Sequence, residues 1–334
     1  MTKKEIIPIF QEKFGQNNPE VYTSPGRINL IGEHTDYNGS FVFPGAIDKG
    51  MIAAIHFNHT DKVRAYAIDL DESSEFGLNE EDLPKEGWAK YLFGVCREII
   101  KRGGSVKGFD TVFSGDVPLG AGMSSSAALE STYAYALNDL LGLGIDKFEL
   151  ARIGQSTEHN YVGVNCGIMD QFASLFGKKG HLIRLDTKSM EYAYFPFDPK
   201  GYKLVLLDTV VKHELASSAY NKRRESCEQA ARTIAKRHPD YETVGQKMYE
   251  THHGMSKLYE VSCGELDFLN DVARAHGVTG SRVMGGGFGG CTINLVKDEL
   301  YDSFVSDAKA EFKSKYGHEP KVYDVVISDG ARKL

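Results

Sequence analysis

The chain has few cysteines and little indole: five cysteines (Cys96, Cys166, Cys227, Cys263 and Cys291), none in a CxxC pair, and the single Trp88 among 334 residues. An odd, scattered set excludes a disulfide framework and a thiolate zinc site, and reads as buried thiols in a reducing compartment. No apolar run reaches the ~18 residues of a membrane span. The opening MTKKEIIPIFQEKFG has acidic residues and helical apolar spacing rather than a signal-peptide core, so a cytoplasmic protein with no membrane partner is expected. Basic residues are also in deficit, 39 Lys and Arg against 46 Asp and Glu, for a net charge of −7; a duplex would repel such a surface, and no nucleic-acid partner is expected. Finally, there is no HExxH, and the His252-His253 pair lacks metal-ligand spacing.

What is present is an ordinary globular composition, 41% hydrophobic and 25% charged, enough for two domains. Residues 3–14 are spaced as an amphipathic helix. GFDTVFSGDVP (108–118) alternates as a strand and leads through glycines into the helical SSSAALESTYAYALNDLL. Asp146, with Glu149 three residues on, opens the next helix, expected through about Tyr161. After Gly180 short strands dominate (HLIRLD, YAYFPF, KLVLLDT). A polar helix at about 217–236, further helices to Ala275, and two strand-like runs flanking DSFVSDAKAEFKSKYG complete the chain. The change of texture places a domain boundary near residue 185, giving 1–185 and 186–334, a mixed α+β pattern in both.

Three segments carry chemistry. In VPLGAGMSSSAALE (117–130), Gly120, Ala121 and Gly122 let backbone approach a ligand, and Met123, Ser124, Ser125 and Ser126 bring N–H groups and hydroxyls to a helix N-terminus, where an anion is favoured. A plain serine cap after a glycine turn is the alternative. No lysine follows the glycines, so this is not an ordinary P-loop, and no VAIK, HRD or DFG accompanies it. RVMGGGFGGCTINLV contains GxGxxG at Gly285, Gly287 and Gly290, but it runs into a strand instead of a helix. A dinucleotide fingerprint is thereby excluded, and a glycine hairpin remains. GRINLIGEHTDYNG (26–39) interleaves Ile28 and Leu30 with Arg27, Glu33, His34 and Asp36. Alternation sends the apolar pair to one face, and Gly32 turns the chain to present groups suited to a hydroxyl-rich ligand; a structural ion-pair network is the alternative. GVNCGIMDQFASLFG puts Asp170 just inside a helix start, with Glu158 on the preceding helix.

Taken together, GRINLIGEHTDY, VPLGAGMSSSAALE and MGGGFGG, supported by CGIMDQ and HELASSAY, resemble the galactokinase family, within the GHMP-type small-molecule kinases that also hold homoserine, mevalonate and phosphomevalonate kinases. The resemblance runs over nearly the whole chain, and the first segment is the diagnostic one. It implies a two-domain α+β fold, its second domain a ferredoxin-like core plus helices, with the active site in the inter-domain cleft. It also implies transfer of the ATP γ-phosphoryl to the C1 hydroxyl of galactose, the first committed step of galactose catabolism. The sugar would be held by Arg27, Glu33, His34, Asp36, Gly167, Asp170 and Tyr220. Residues Gly120 to Ser126 would wrap the ATP phosphates, and Trp88 and Tyr91 resemble the adenine-side aromatics. Ser126 and Glu158 would be ligands of Mg2+, Asp170 the candidate base and Arg27 its catalytic partner. A monomer is expected. Between Asp240 and Tyr241 the chain lacks a helical stretch that the family carries, which bears on second-domain packing more than on these residues. The rival readings are a related sugar-1-kinase for N-acetylgalactosamine, arabinose or galacturonate, and a sugar- and ATP-binding regulator without turnover.

Overall fold

The computed structural model describes residues 1–118, 122–209 and 241–333. Gly120, Ala121, Tyr220 and the polar helix expected at 217–236 lie outside them. The first unit is built on a six-stranded sheet containing β1 (Glu20–Asn29), β3 (Pro44–Phe57), β4 (Val63–Ala67), β5 (Glu72–Phe76), β6 (Phe109–Gly115) and β13 (Arg332–Lys333), in the order β13-β1-β3-β6-β4-β5. Pairing is antiparallel except between β4 and β6.

The two-residue period of β3 sorts its side chains between layers. Ile52 and Ala54 meet Ile6 and Phe10 of α1 (Lys3–Phe14), while Ala53 and Ile55 join the main core under α2 (Ala89–Lys101), α3 (Ser125–Leu141), α4 (Lys147–Thr157) and α5 (Met169–Phe176). Helix α1 starts at a Thr2/Glu5 capping box and stops at Gly15 in the left-handed region. Asp146 caps α4 by accepting from the Glu149 N–H. The helical path beyond Thr157 differs from a plain α-helix, because residues 158–162 form a π-turn. A small sheet, β2 (Phe41–Val42), β7 (His181–Asp186) and β8 (Tyr192–Pro196), lies beside this unit.

The second unit is a four-stranded antiparallel sheet, ordered β10-β11-β9-β12, of β9 (Tyr202–Asp208), β10 (Gly280–Val283), β11 (Cys291–Lys297) and β12 (Lys321–Val325). Here again alternation decides the layers. Val205 and Leu207 of β9 pack on the helices Gly264–Ala275 and Tyr301–Tyr316, while Leu204 and Leu206 face the first unit and share one core with Ile28, Leu30, Val117 and Met123. The GxGxxG segment joins β10 to β11 as a hairpin, as its strand context required. Among the described residues no helix is long and apolar enough to cross a membrane.

Candidate active site

Strand β1 carries the apolar face of GRINLIGEHTDYNG into the shared core, which leaves Arg27 pointing into the cleft between the two sheets. Arg27 is 4% exposed. Its Nε donates to Asp170 Oδ1 at 2.7 Å, Nη2 lies 2.7 Å from the same oxygen, and Nη1 donates to the Gly122 carbonyl at 2.6 Å. The other carboxylate oxygen, Oδ2, accepts from Ser124 Oγ at 2.6 Å. Asp170 therefore ties the sugar-like motif to the serine loop.

Ser124 precedes α3 but does not cap it with its side chain. It sits at φ 57°, a left-handed conformation that costs a non-glycine residue about 1–2 kcal/mol, and this directs its hydroxyl to Asp170. The first N–H groups of α3 are thus left open toward the cleft, as an anion cradle requires. Gly122, at φ +79°, admits no side chain: a Cβ there would stand 2.8 Å from the Met284 carbonyl of the glycine hairpin. Ser126 and Glu158 both line the cleft, and the Glu158 carboxyl is pushed up to about 7 by burial and by the charge of Asp170, against the lowering effect of the Ser126 hydroxyl. The π-turn beginning at Glu158 aims that side chain into the cleft.

Glu33, His34 and Asp36 follow the Gly32 turn. Burial pushes the Glu33 carboxyl up, but Arg282, Arg27 and the Gly285 N–H together hold it below the usual carboxylate range. Arg282 Nη1 donates to Glu33 Oε1 at 3.0 Å and the Gly285 N–H does so at 3.2 Å. His34 pairs with the Tyr37 hydroxyl at 2.5 Å and through Nε2 with the Gly286 carbonyl at 3.1 Å. The Asp36 carboxyl is pushed up to about 7 by burial and by the Asp170 charge. It fills the space beside Gly167, where a Cβ would come within 2.0 Å of its Oδ2.

The cleft brings Arg27, Glu33, His34, Asp36, Gly122, Met123, Ser124, Ser125, Ser126, Glu158 and Asp170 together with Gly285 and Gly286. Trp88 and Tyr91 are not in this lining. Trp88 packs on Phe113 at 5.3 Å between ring centroids and donates from Nε1 to Glu72 Oε2 at 2.8 Å. Tyr91 packs against the main core of the first unit, and burial raises its hydroxyl, with further contributions from Glu158 and Glu130.

Two residues of the site escaped sequence reasoning. Arg282, fully buried, donates from Nε to the Leu30 carbonyl at 2.8 Å and from Nη1 to the Val283 carbonyl at 2.6 Å; Nη2 also donates to the Asn29 carbonyl. It clamps the end of β1 to β10. Glu130, fully buried on α3, accepts from Gln171 Nε2 at 3.1 Å, and its Oε1 has no partner among the described residues. Burial and the neighbouring Glu158 push its carboxyl well up. The available signal for Glu130 was a charge inside the apolar run SAALESTYAYAL, whereas Arg282, in TGSRVMGG, carried no such signal.

A cleft between two α+β units, floored by a serine-rich helix N-terminus and walled by a glycine hairpin, defines a small-molecule kinase of the GHMP type. Residues 90–178 match the GHMP kinases N terminal domain and 230–313 the GHMP kinases C terminal domain. Residues 9–57 match the galactokinase galactose-binding signature. The galactokinase of Clostridium acetobutylicum is 37% identical over 387 residues, covering 99% of this chain and 100% of its own length. That of Thermosipho africanus is 37% identical, covering 93% and 99%. Among solved structures, Lactococcus lactis galactokinase complexed with galactose superposes with a TM-score of 0.89 at 31% identity over 98% of both chains. Methanococcus jannaschii mevalonate kinase, at 19% identity and a TM-score of 0.66, shares the fold. The chain belongs to the galactokinase family, and it is an ATP-dependent sugar kinase.

Proposed function

We propose that the chain transfers the γ-phosphoryl of ATP to the C1 hydroxyl of galactose. The observation that carries this reading is the Asp170 carboxylate held by Arg27 on one oxygen and by Ser124 of the phosphate loop on the other, at 2.7 and 2.6 Å. One acid thus serves both substrates. Arg27 already occupies Oδ1 twice, so the sugar hydroxyl is received at the free lone pair of Oδ2. In a loose transition state the attacking oxygen needs little deprotonation early. Asp170 accordingly orients the hydroxyl first and takes its proton late, while Arg27 and the open N–H groups of α3 stabilise charge on the phosphoryl oxygens. Glu33, His34, Asp36, Gly167 and Tyr220 hold the remaining hydroxyls. Trp88 and Tyr91, outside the cleft lining, are assigned to the adenine side on the family resemblance alone, and Gly120 to Ser126 enclose the phosphates.

Magnesium fits the donor set. Ser126 and Glu158, both in the cleft lining, offer hard oxygen ligands, and a cation there would relieve the buried Glu158 carboxylate. Among the described residues no group of three or more His, Cys, Asp or Glu could hold a metal alone, so phosphate oxygens and water would complete the shell. When bound, the ion supplies charge neutralisation across the phosphates. Ser126→Ala is expected to raise the magnesium concentration needed for half-maximal rate; a magnesium titration identical to the wild type would reduce Ser126 to a helix-start residue.

The domain division follows the sheets in this reading. Because β7 and β8 share a sheet and β13 returns to β1, the crossing falls between β8 and β9 rather than at 185/186. A cytoplasmic monomer, without nucleic-acid or membrane partners, completes the proposal. The test is ADP release from MgATP with galactose, glucose, N-acetylgalactosamine, arabinose and no sugar. Turnover confined to galactose and close analogues is expected; a preference for another sugar would select the related sugar-1-kinase, and a folded chain silent with every sugar would select the regulator.

A further inference from the structure

His252 has no part in the chemistry above, yet it is buried at the joint between the second unit's helices and the glycine hairpin. It lies in the last turn of the helix Tyr241–His253. Its Nδ1 accepts from the Val283 N–H at 3.1 Å, which leaves the ring proton on Nε2, where it is donated to Asp267 Oδ1 at 3.1 Å. Asp267 is fixed in turn by Ser256 Oγ at 2.8 Å and Lys257 Nζ at 3.3 Å. Val283 is the residue between Arg282, which clamps Glu33 and the Leu30 carbonyl, and the segment whose Gly285 N–H donates to Glu33 and whose Gly286 carbonyl meets His34.

We propose that His252 is a positioning residue for the sugar side of the cleft: as acceptor for the Val283 N–H it fixes the end of β10, and with it the groups that hold Glu33 and His34. The inference rests on the reading that Glu33 and His34 bind the sugar. It also carries a pH dependence. The groups facing the imidazole are Asp267 and Asp271 from the helix Gly264–Ala275, Lys257 from the turn Gly254–Leu258 that follows His253, and the Val283 N–H from β10, the Arg282 guanidinium being turned to Leu30 and Glu33. Burial outweighs the two aspartates and lowers the imidazole below its ordinary value. The ring is therefore neutral at and above the ordinary imidazole range. As pH falls through the lowered value, Nδ1 gains a proton, the acceptor is lost, and two N–H groups face each other.

Two variants separate the acceptor from packing. In His252→Asn the amide oxygen stands near the position of Nδ1 and retains the acceptor without a titratable ring. In His252→Gln the amide reaches toward Asp267 and leaves the Val283 N–H unpaired. His252→Gln is expected to raise KM for galactose roughly five-fold, the size of one lost hydrogen bond, with kcat little changed. His252→Asn is expected to keep KM near the wild type and to make the rise in KM on acidification smaller than in the wild type, leaving only the part that comes from protonation of Asp36. Equal KM changes in the two variants, or an acid-side rise in the Asn variant matching the wild type, would overturn the proposal. A wild type inactive on galactose would instead sink the sugar reading. In that case amide hydrogen exchange over residues 282–287 decides: faster exchange in the Gln than in the Asn variant supports the role of His252, and equal exchange refutes it.

Discussion

Asp170→Asn is expected to lower kcat by roughly 10²–10⁴-fold, the range of a lost acid–base group, while ATP binding stays close to the wild type. The substitution is nearly isosteric. Its amide oxygen can still accept from Arg27, and the Ser124 hydroxyl, which now donates to Oδ2 at 2.6 Å, can turn to accept from the new amide nitrogen. The lone pair that would take the sugar proton disappears, together with the negative charge opposite Arg27. Steady-state ADP release with a calorimetric titration of ATP checks both halves. Retained turnover would remove Asp170 from proton transfer, and loss of ATP binding would indicate that its charge holds the serine loop together.

The second large effect belongs to Arg282. Arg282→Met leaves the Glu33 carboxylate, 2% exposed as a side chain, without its guanidinium partner, and breaking a buried pair from one side costs about 3–5 kcal/mol. It also leaves the carbonyls of Asn29 and Leu30 without their donor. A drop in thermal midpoint should therefore accompany a higher KM for the sugar. Adding Glu33→Gln removes the stranded charge and should recover part of the midpoint but none of the KM. If the double variant melts no higher than Arg282→Met, the loss comes from packing around the guanidinium and not from the isolated carboxylate.

Much of the fold was legible because its signals are local. The helix at 3–14, the Asp146 cap and the strand at 109–115 each depend on neighbours within a few residues. The hairpin reading of GxGxxG depended only on the strand-like CTINLV immediately after it. The site was legible as three segments, because each carries its chemistry in adjacent residues. Pairings across long stretches of chain were not legible. The sheet made by β2, β7 and β8 joins Phe41 to Asp186, and the Arg282 clamp joins Glu33 to a residue 249 positions later. No period in either segment encodes the other. The bond between Ser124 and Asp170 was likewise invisible, since a serine before a helix reads as a cap until its φ is known.

The core shared by Ile28, Leu30, Leu204, Leu206 and Ile293 bears on how the protein comes apart. Domains that meet through thin, wet contacts melt one after the other; here the strand bearing Arg27 is embedded in apolar side chains from both sheets. Loosening the second sheet exposes the underside of β1, so the two units lose their folding energy together, and denaturation by urea should pass through a single cooperative transition with the steep denaturant slope of one large body.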